Sequence, residues 1–271
     1  MTAHTPIIIT GASGDIGAAA TEALVRRGEA VIMACRNCSK ASAVRDKIIQ
    51  HVPSAQIEIE ELHLDSFASV REFAARMQGR SIKAIFNNAG VISRDYRLCE
   101  DGFEESLTVN YLSPYLLTRL LLPALGDEGR VVNMISLTCD LARLDRNFFS
   151  EREKSFSQLG SYASSKLALM LFSIELSRRC GISVNMADPG IVSSSMISMG
   201  RWFDPLADIF FRPLCKRPGR GAIPAVEAIL SDKHSRIFKG HRDIGIPKKQ
   251  LDRQELSDWL WTETEKLVHF L

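Results

Sequence analysis

Short apolar runs alternate with longer helix-period stretches along most of this chain, and no other feature narrows its fold as much. The runs are Ile7–Thr10, Ala30–Cys35, Ile57–Leu64, Ile82–Asn87, Arg130–Ile135 and Ser183–Ala187. They are short and rich in β-branched residues, which favours strands. Most are apolar on successive residues, the pattern of strands covered on both faces. Between them, Ile16–Arg27, Ser39–His51, Phe67–Gln78, Glu104–Pro123 and Ser161–Arg179 carry helical periodicity. Repeated strand–helix alternation means right-handed crossovers. The pattern predicts an α/β fold, a doubly wound parallel sheet with helices on both faces. No linker, repeat or low-complexity tract interrupts the 271 residues, so 1–271 is read as a single domain. Residues 191–221 hold no clear strand and are read as a mobile excursion over a substrate.

Composition removes several classes. Hydrophobic residues make up 45% and charged residues 24%, which excludes a disordered chain, a collagen-like chain and a small disulfide scaffold. The net charge of +2 gives no electrostatic case for nucleic acid or an anionic membrane. The N-terminus MTAHTPIIITGASG lacks the basic segment and apolar stretch of a signal peptide. No apolar run is long enough to span a bilayer. Six cysteines are too sparse for a disulfide framework and predict reduced thiols in a cytoplasmic protein. Cys35 and Cys38 form a C-x-x-C without a second pair, the histidines are scattered, and no metal site is expected.

The first strand runs into TGASGDIG, and a helix follows. Gly11, Gly14 and Gly17 permit the tight turn and a close backbone approach to a pyrophosphate. The helix N-terminus then offers N–H groups and a positive dipole end to the phosphates. Gly11, Ser13, Gly14, Asp15, Ile16 and Gly17 are therefore candidate dinucleotide contacts, with the Asp15 carboxylate turned to solvent. In such folds an acidic residue about 20 positions on binds the ribose hydroxyl. Here Arg36 stands at the end of the second strand. A guanidinium suits a 2′-phosphate, so NADP(H) is expected over NAD(H). Further along, SYASSKLALMLFSIEL puts Tyr162 and Lys166 on one helix face, and Ser136 ends the fifth strand. An ammonium near a phenol lowers its pKa toward that of a usable base.

TGASGDIG, NNAG at 87–90, Asn110 in VNY, Ser136, YASSK and PGIVSS at 189–194 follow the order seen in short-chain dehydrogenases/reductases, and the chain resembles that Rossmann-type family over its whole length. The resemblance implies a tetrad of Asn110, Ser136, Tyr162 and Lys166. Tyr162 would be the general acid/base and Ser136 would hold the substrate oxygen. Lys166 would bind the nicotinamide ribose and depress the tyrosine pKa. Asn110 would kink its helix and hold a relay water. Asn88, Ala89 and Gly90 would lie against the adenosine ribose and Asp65 against adenine. Pro189, Gly190, Val192 and Ser194 would fix the carboxamide. One departure stands in the loop, where Asp15 replaces the family's usual middle glycine. The spacing is instead that of the longer epimerase-like members.

A narrower resemblance is to the retinol dehydrogenase-like branch. It rests on MACRN, the long interval from Ser136 to Tyr162 with Leu137 to Leu159 beside the substrate mouth, and the tail LWTETEKL. That tail reads equally as a helix packing Trp259 and Trp261, or as a subunit contact. The expected activity is alcohol/carbonyl oxidoreduction. A redox-neutral epimerase or dehydratase and a non-catalytic NADP-binding sensor are the competing readings. The segment Ser195–Arg217 carries Met196, Trp202, Phe203, Phe210 and Phe211 at helical spacing, which predicts a lid gripping a lipophilic substrate. A packing helix, a subunit contact or attachment to a membrane surface are its alternatives. The family resemblance also implies a homodimer or homotetramer built through helices of the outer layer.

Overall fold

In the computed structural model, residues 5–140, 142–150, 153–190 and 218–269 are described. Strands β1 (Ile7–Thr10), β2 (Val31–Cys35), β3 (Ile57–Glu61), β4 (Ala84–Asn87), β5 (Arg130–Met134) and β6 (Ser183–Asp188) match the six expected runs closely. Two further strands follow, β7 (Arg236–Lys239) and β8 (Arg242–Gly245). All eight form one sheet in the order β3-β2-β1-β4-β5-β6-β7-β8. Every pairing is parallel except the last, where β8 runs antiparallel to β7. The hairpin between them turns at Gly240, whose φ of +61° favours glycine. The direction of the chain's windings reverses between β1 and β4, and ligands in open α/β sheets bind at the carboxyl ends of the strands flanking such a point.

The strands alternate between two cores. Ile8, Ile32, Ile85, Val131 and Val184 face one side. Ile7, Ile9, Met33, Phe86 and Val132 face the other. Helices α1 (Asp15–Val25) and α2 (Cys38–His51) pack on the second core through Leu24 and Ile48. Helix α3 (Phe67–Arg76) packs on the first through Phe73. The edge strand β3 is half-buried and lined with Glu58, Glu60 and Glu61. Arg80 and Arg76 bridge the first two, so the edge is charged rather than open to strand addition.

The helix expected over Glu104–Pro123 is broken into three parts. A short α4 (Glu105–Leu107), capped by the Glu104 carboxylate, leads into a π-helical turn at Thr108–Leu112, and α5 (Ser113–Leu125) continues from it. Asn110 sits in the π turn, where such bulges concentrate at functional sites. Helix α6 (Gln158–Arg179) begins three residues earlier than its periodicity suggests, because Ser157 caps it by accepting from Gly160 N–H. Of the expected excursion, residues 191–217 lie outside the described residues, and with them the lid, Val192 and Ser194. Residues 218–221 correct its far boundary, since they open helix α7 (Pro218–Leu230), which packs on the second core through Ile229.

The chain ends in α8 (Lys248–Leu251) and α9 (Gln254–Leu267). Helix α9 lies over α5 and α6. Trp261 meets Tyr115 at 5.3 Å and Phe172 at 5.8 Å between ring centroids. The Arg119 and Arg179 guanidiniums lie over the same indole at 4.5 and 4.6 Å. The Tyr111 hydroxyl bonds Thr264 at 2.6 Å, and Arg119 pairs with Glu265 at 2.7 Å. Helix α9 thus covers part of α5 and α6. Among the described residues no helix is long and apolar enough to cross a membrane.

Candidate active site

The loop after β1 is built by close approach. Gly11 has φ of +62°, and a Cβ there would lie 3.1 Å from Ala89. A Cβ on Gly17 would fall 2.6 Å from the Gly11 carbonyl oxygen and 2.7 Å from Ala12 Cα, so only glycine lets α1 start this near the strand. Gly14 is the N-cap of α1, and Ser13 and Ile16 flank it partly exposed. Asp15 is exposed in the first helical turn, where a carboxylate suits the helix dipole. The departure in glycine spacing therefore leaves the turn intact.

Asn88 and Ala89 pin this loop from β4. Their backbone N–H groups donate to Thr10 Oγ1 at 3.1 and 3.0 Å, and Asn88 Nδ2 donates to the Thr10 carbonyl at 2.8 Å. At the ends of β2 and β3 the sequence candidates meet each other. Arg36 Nη1 lies 3.8 Å from Asp65 Oδ2, and Arg36 is 69% exposed. Both line a groove of about 500 Å³ with His63, Ser69, Arg97 and Glu105. Arg36 is thus held loosely enough to turn toward an anion.

The four tetrad candidates converge on the carboxyl ends of β4 and β5. Asn110 Oδ1 accepts from Val91 N–H at 2.8 Å, while its Nδ2 donates to the Val91 carbonyl at 2.9 Å and to Ser165 Oγ at 3.0 Å. Its side chain is therefore spent on joining the strand-β4 loop to α6. Lys166, 2% exposed, donates from Nζ to the Met134 carbonyl at 2.9 Å. Gly90 fits between these two, since a Cβ there would lie 3.3 Å from both Asn110 Oδ1 and Lys166 Nζ. The Ser136 hydroxyl faces the Tyr162 phenol and favours its ionised form.

Burial raises the Tyr162 phenol above its ordinary pKa, against a smaller lowering from Ser136. Burial also brings Lys166 down to about 8. Lys166 is not among the groups that act on the phenol; its ammonium is tethered to the Met134 carbonyl, and burial of the phenol outweighs the lowering from Ser136. Pro189 and Gly190 follow β6, with Gly190 at φ of +70°. Two residues missed by the sequence reading support that turn. Asp188 Oδ1 accepts from Gly190 N–H at 2.9 Å, and Asp188 Oδ2 pairs with Lys239 at 3.1 Å. Asp188 precedes the proline-glycine pair, which was its one signal. Lys239 lies on a strand that the sequence did not reveal.

The cradle fits a nicotinamide dinucleotide. Positions 11, 17 and 90 have no room for a side chain, and the loop presents a helix N-terminus at the sheet's reversal point. Known proteins agree. The family model described as short chain dehydrogenase matches residues 5–201. Human retinol dehydrogenase 13 is 32% identical, covering 97% of this chain and 84% of the relative. Human polyprenol dehydrogenase is 34% identical over 97% of this chain and 85% of its own. A crystal structure of an uncharacterized Mycobacterium paratuberculosis protein, 29% identical, superposes with a TM-score of 0.79 over 98% of this chain and 93% of that one. The chain belongs to the short-chain dehydrogenase/reductase family and is an oxidoreductase of CH–OH groups. Within the family it stands on the retinol dehydrogenase-like branch.

Proposed function

We propose that this protein interconverts a lipophilic alcohol and its carbonyl with NADP(H), using Tyr162, Ser136, Lys166 and Asn110. The observation that carries this reading is the convergence of Ser136, Tyr162 and the buried Lys166 beside a loop shaped for a dinucleotide. When bound, the nicotinamide supplies or accepts the two electrons of the reaction. Ser136 holds the substrate oxygen, and Tyr162 gives it a proton in reduction or removes one in oxidation. The raised pKa keeps the phenol protonated through neutral pH, which suits the reducing direction. Lys166 binds the nicotinamide ribose. The Asn110 side chain fixes the strand-β4 loop around Gly90, so a relay water at this position would have to be held by its backbone. Asn88, Ala89 and Asp65 border the adenosine, and Pro189, Gly190, Val192 and Ser194 hold the carboxamide.

A lipophilic substrate is supported by the apolar run within 195–217 and by relatives named for retinol and polyprenol. NADPH consumption with retinoid, steroid and aliphatic carbonyls tests the activity. Turnover with none of them, alongside tight NADPH binding, would favour a sensor instead. Cytoplasmic placement is supported by the free cysteines among the described residues. A homodimer or homotetramer would have to form away from the face that α9 covers, and light scattering of the full chain checks for one.

The cofactor preference rests on Arg36. Arg36→Ala should weaken NADPH by about 10–150-fold and NADH little, since a hydrogen bond to a charged group is worth about 1.5–3 kcal/mol. Fluorescence titration of both cofactors measures this. An equal loss for both would leave NADP(H) selectivity without a basis.

A further inference from the structure

We propose that Asp188 and Lys239 are a positioning pair that shapes the Pro189–Gly190 turn for the dinucleotide. The inference rests on the dinucleotide reading of this site and goes beyond it to two residues outside the tetrad.

The strand register sets the pair. Asp188 ends β6 directly opposite Lys239 at the end of β7. Asp188 is 3% exposed, and its two oxygens do different work. Oδ1 takes the Gly190 N–H at 2.9 Å, which bends the backbone into the positive φ of Gly190. Oδ2 takes the Lys239 ammonium at 3.1 Å. A buried carboxylate left alone is costly, and a partner ammonium offsets that cost. Ile135 N–H also bonds the Ala187 carbonyl at 2.9 Å, so the end of β6 is tied to the residue before Ser136. A shift of Asp188 would therefore be felt on both sides of the reaction centre.

The test needs no substrate, since NADPH affinity, read by fluorescence titration of the full chain, reports the turn. Asp188→Asn keeps an oxygen for Gly190 N–H and should bind NADPH nearly as the parent does. Asp188→Ala should bind it about tenfold more weakly, the order of a lost hydrogen bond to a charged group. Parent-like binding by Asp188→Ala would overturn the turn role. If Asp188→Asn fails to fold, the half-exposed Lys239 still decides: Lys239→Met should weaken NADPH binding and Lys239→Arg should restore it, and parent-like binding by Lys239→Met would overturn the pair. A parent protein that binds no NADPH would instead remove the dinucleotide reading itself.

Discussion

Tyr162→Phe is expected to lose turnover by about 10²–10⁴-fold while folding and binding NADPH as the parent protein does. In the proposed reaction the phenol is the acid that meets the substrate oxygen, and phenylalanine keeps the ring packing without the proton. The Tyr162 main-chain carbonyl accepts from Ser165 Oγ at 2.8 Å, and Asn110 reaches the same hydroxyl at 3.0 Å. The substitution leaves this helix-to-loop joint untouched, so a loss of rate can be assigned to the hydroxyl. Single-turnover carbonyl reduction, with a thermal melt as control, reads the effect. A variant keeping more than about a tenth of the parent rate would dismiss Tyr162 as the proton donor. The pH dependence has a definite sign. Burial raises the phenol's pKa, so the acid form persists through neutral pH and reduction should not decline there on its account. Alcohol oxidation needs the phenolate and should gain as the medium becomes alkaline.

Trp261→Ala should destabilise the fold by about 3–5 kcal/mol, the usual range for a buried tryptophan cut to alanine. Trp261 is 6% exposed and fills the space between Tyr115 and Phe172. The guanidiniums of Arg119 and Arg179 sit over its ring and would lose that contact together. At about 2–4 °C per kcal/mol, the melting temperature should drop by about 6–20 °C. Urea unfolding gives the free energy directly. A loss below about 1 kcal/mol would mean that α9 rests on α5 and α6 without holding them. Trp259, half-buried against Phe149 at 5.6 Å, should matter less.

The sequence made the inner strands easy to find because both of their faces are apolar. Ile7–Thr10 has the same bounds in the structure. The strand β7 was hidden because Arg236–Lys239 has only two apolar residues between basic ends, and β8 is shorter still in apolar content. Periodicity could not show the π turn at Thr108–Leu112, since one extra residue per turn barely disturbs an apolar stripe. Gly11, Gly17 and Gly90 were readable because only backbone crowding explains a fixed glycine there. Tyr162 and Lys166 were readable as partners on one helix face. The tether of Lys166 to Met134 was not, because it joins residues far apart in the chain. Asp188 and Lys239 escaped notice for the same reason.

The cover over α5 is made long after α5 itself. Between Leu125 and Gln254 the ribosome adds roughly 130 residues, which at about 5–20 residues per second takes about 6–26 s. Through that interval Tyr111 and Tyr115 have neither Thr264 nor Trp261 against them. The nascent chain thus shows a greasy, aromatic face for many seconds in every round of synthesis. A chaperone that shields this face must release it as α9 emerges. A frameshift or early stop between Gly245 and Gln254 would then yield chains with their sheet formed and this face never closed.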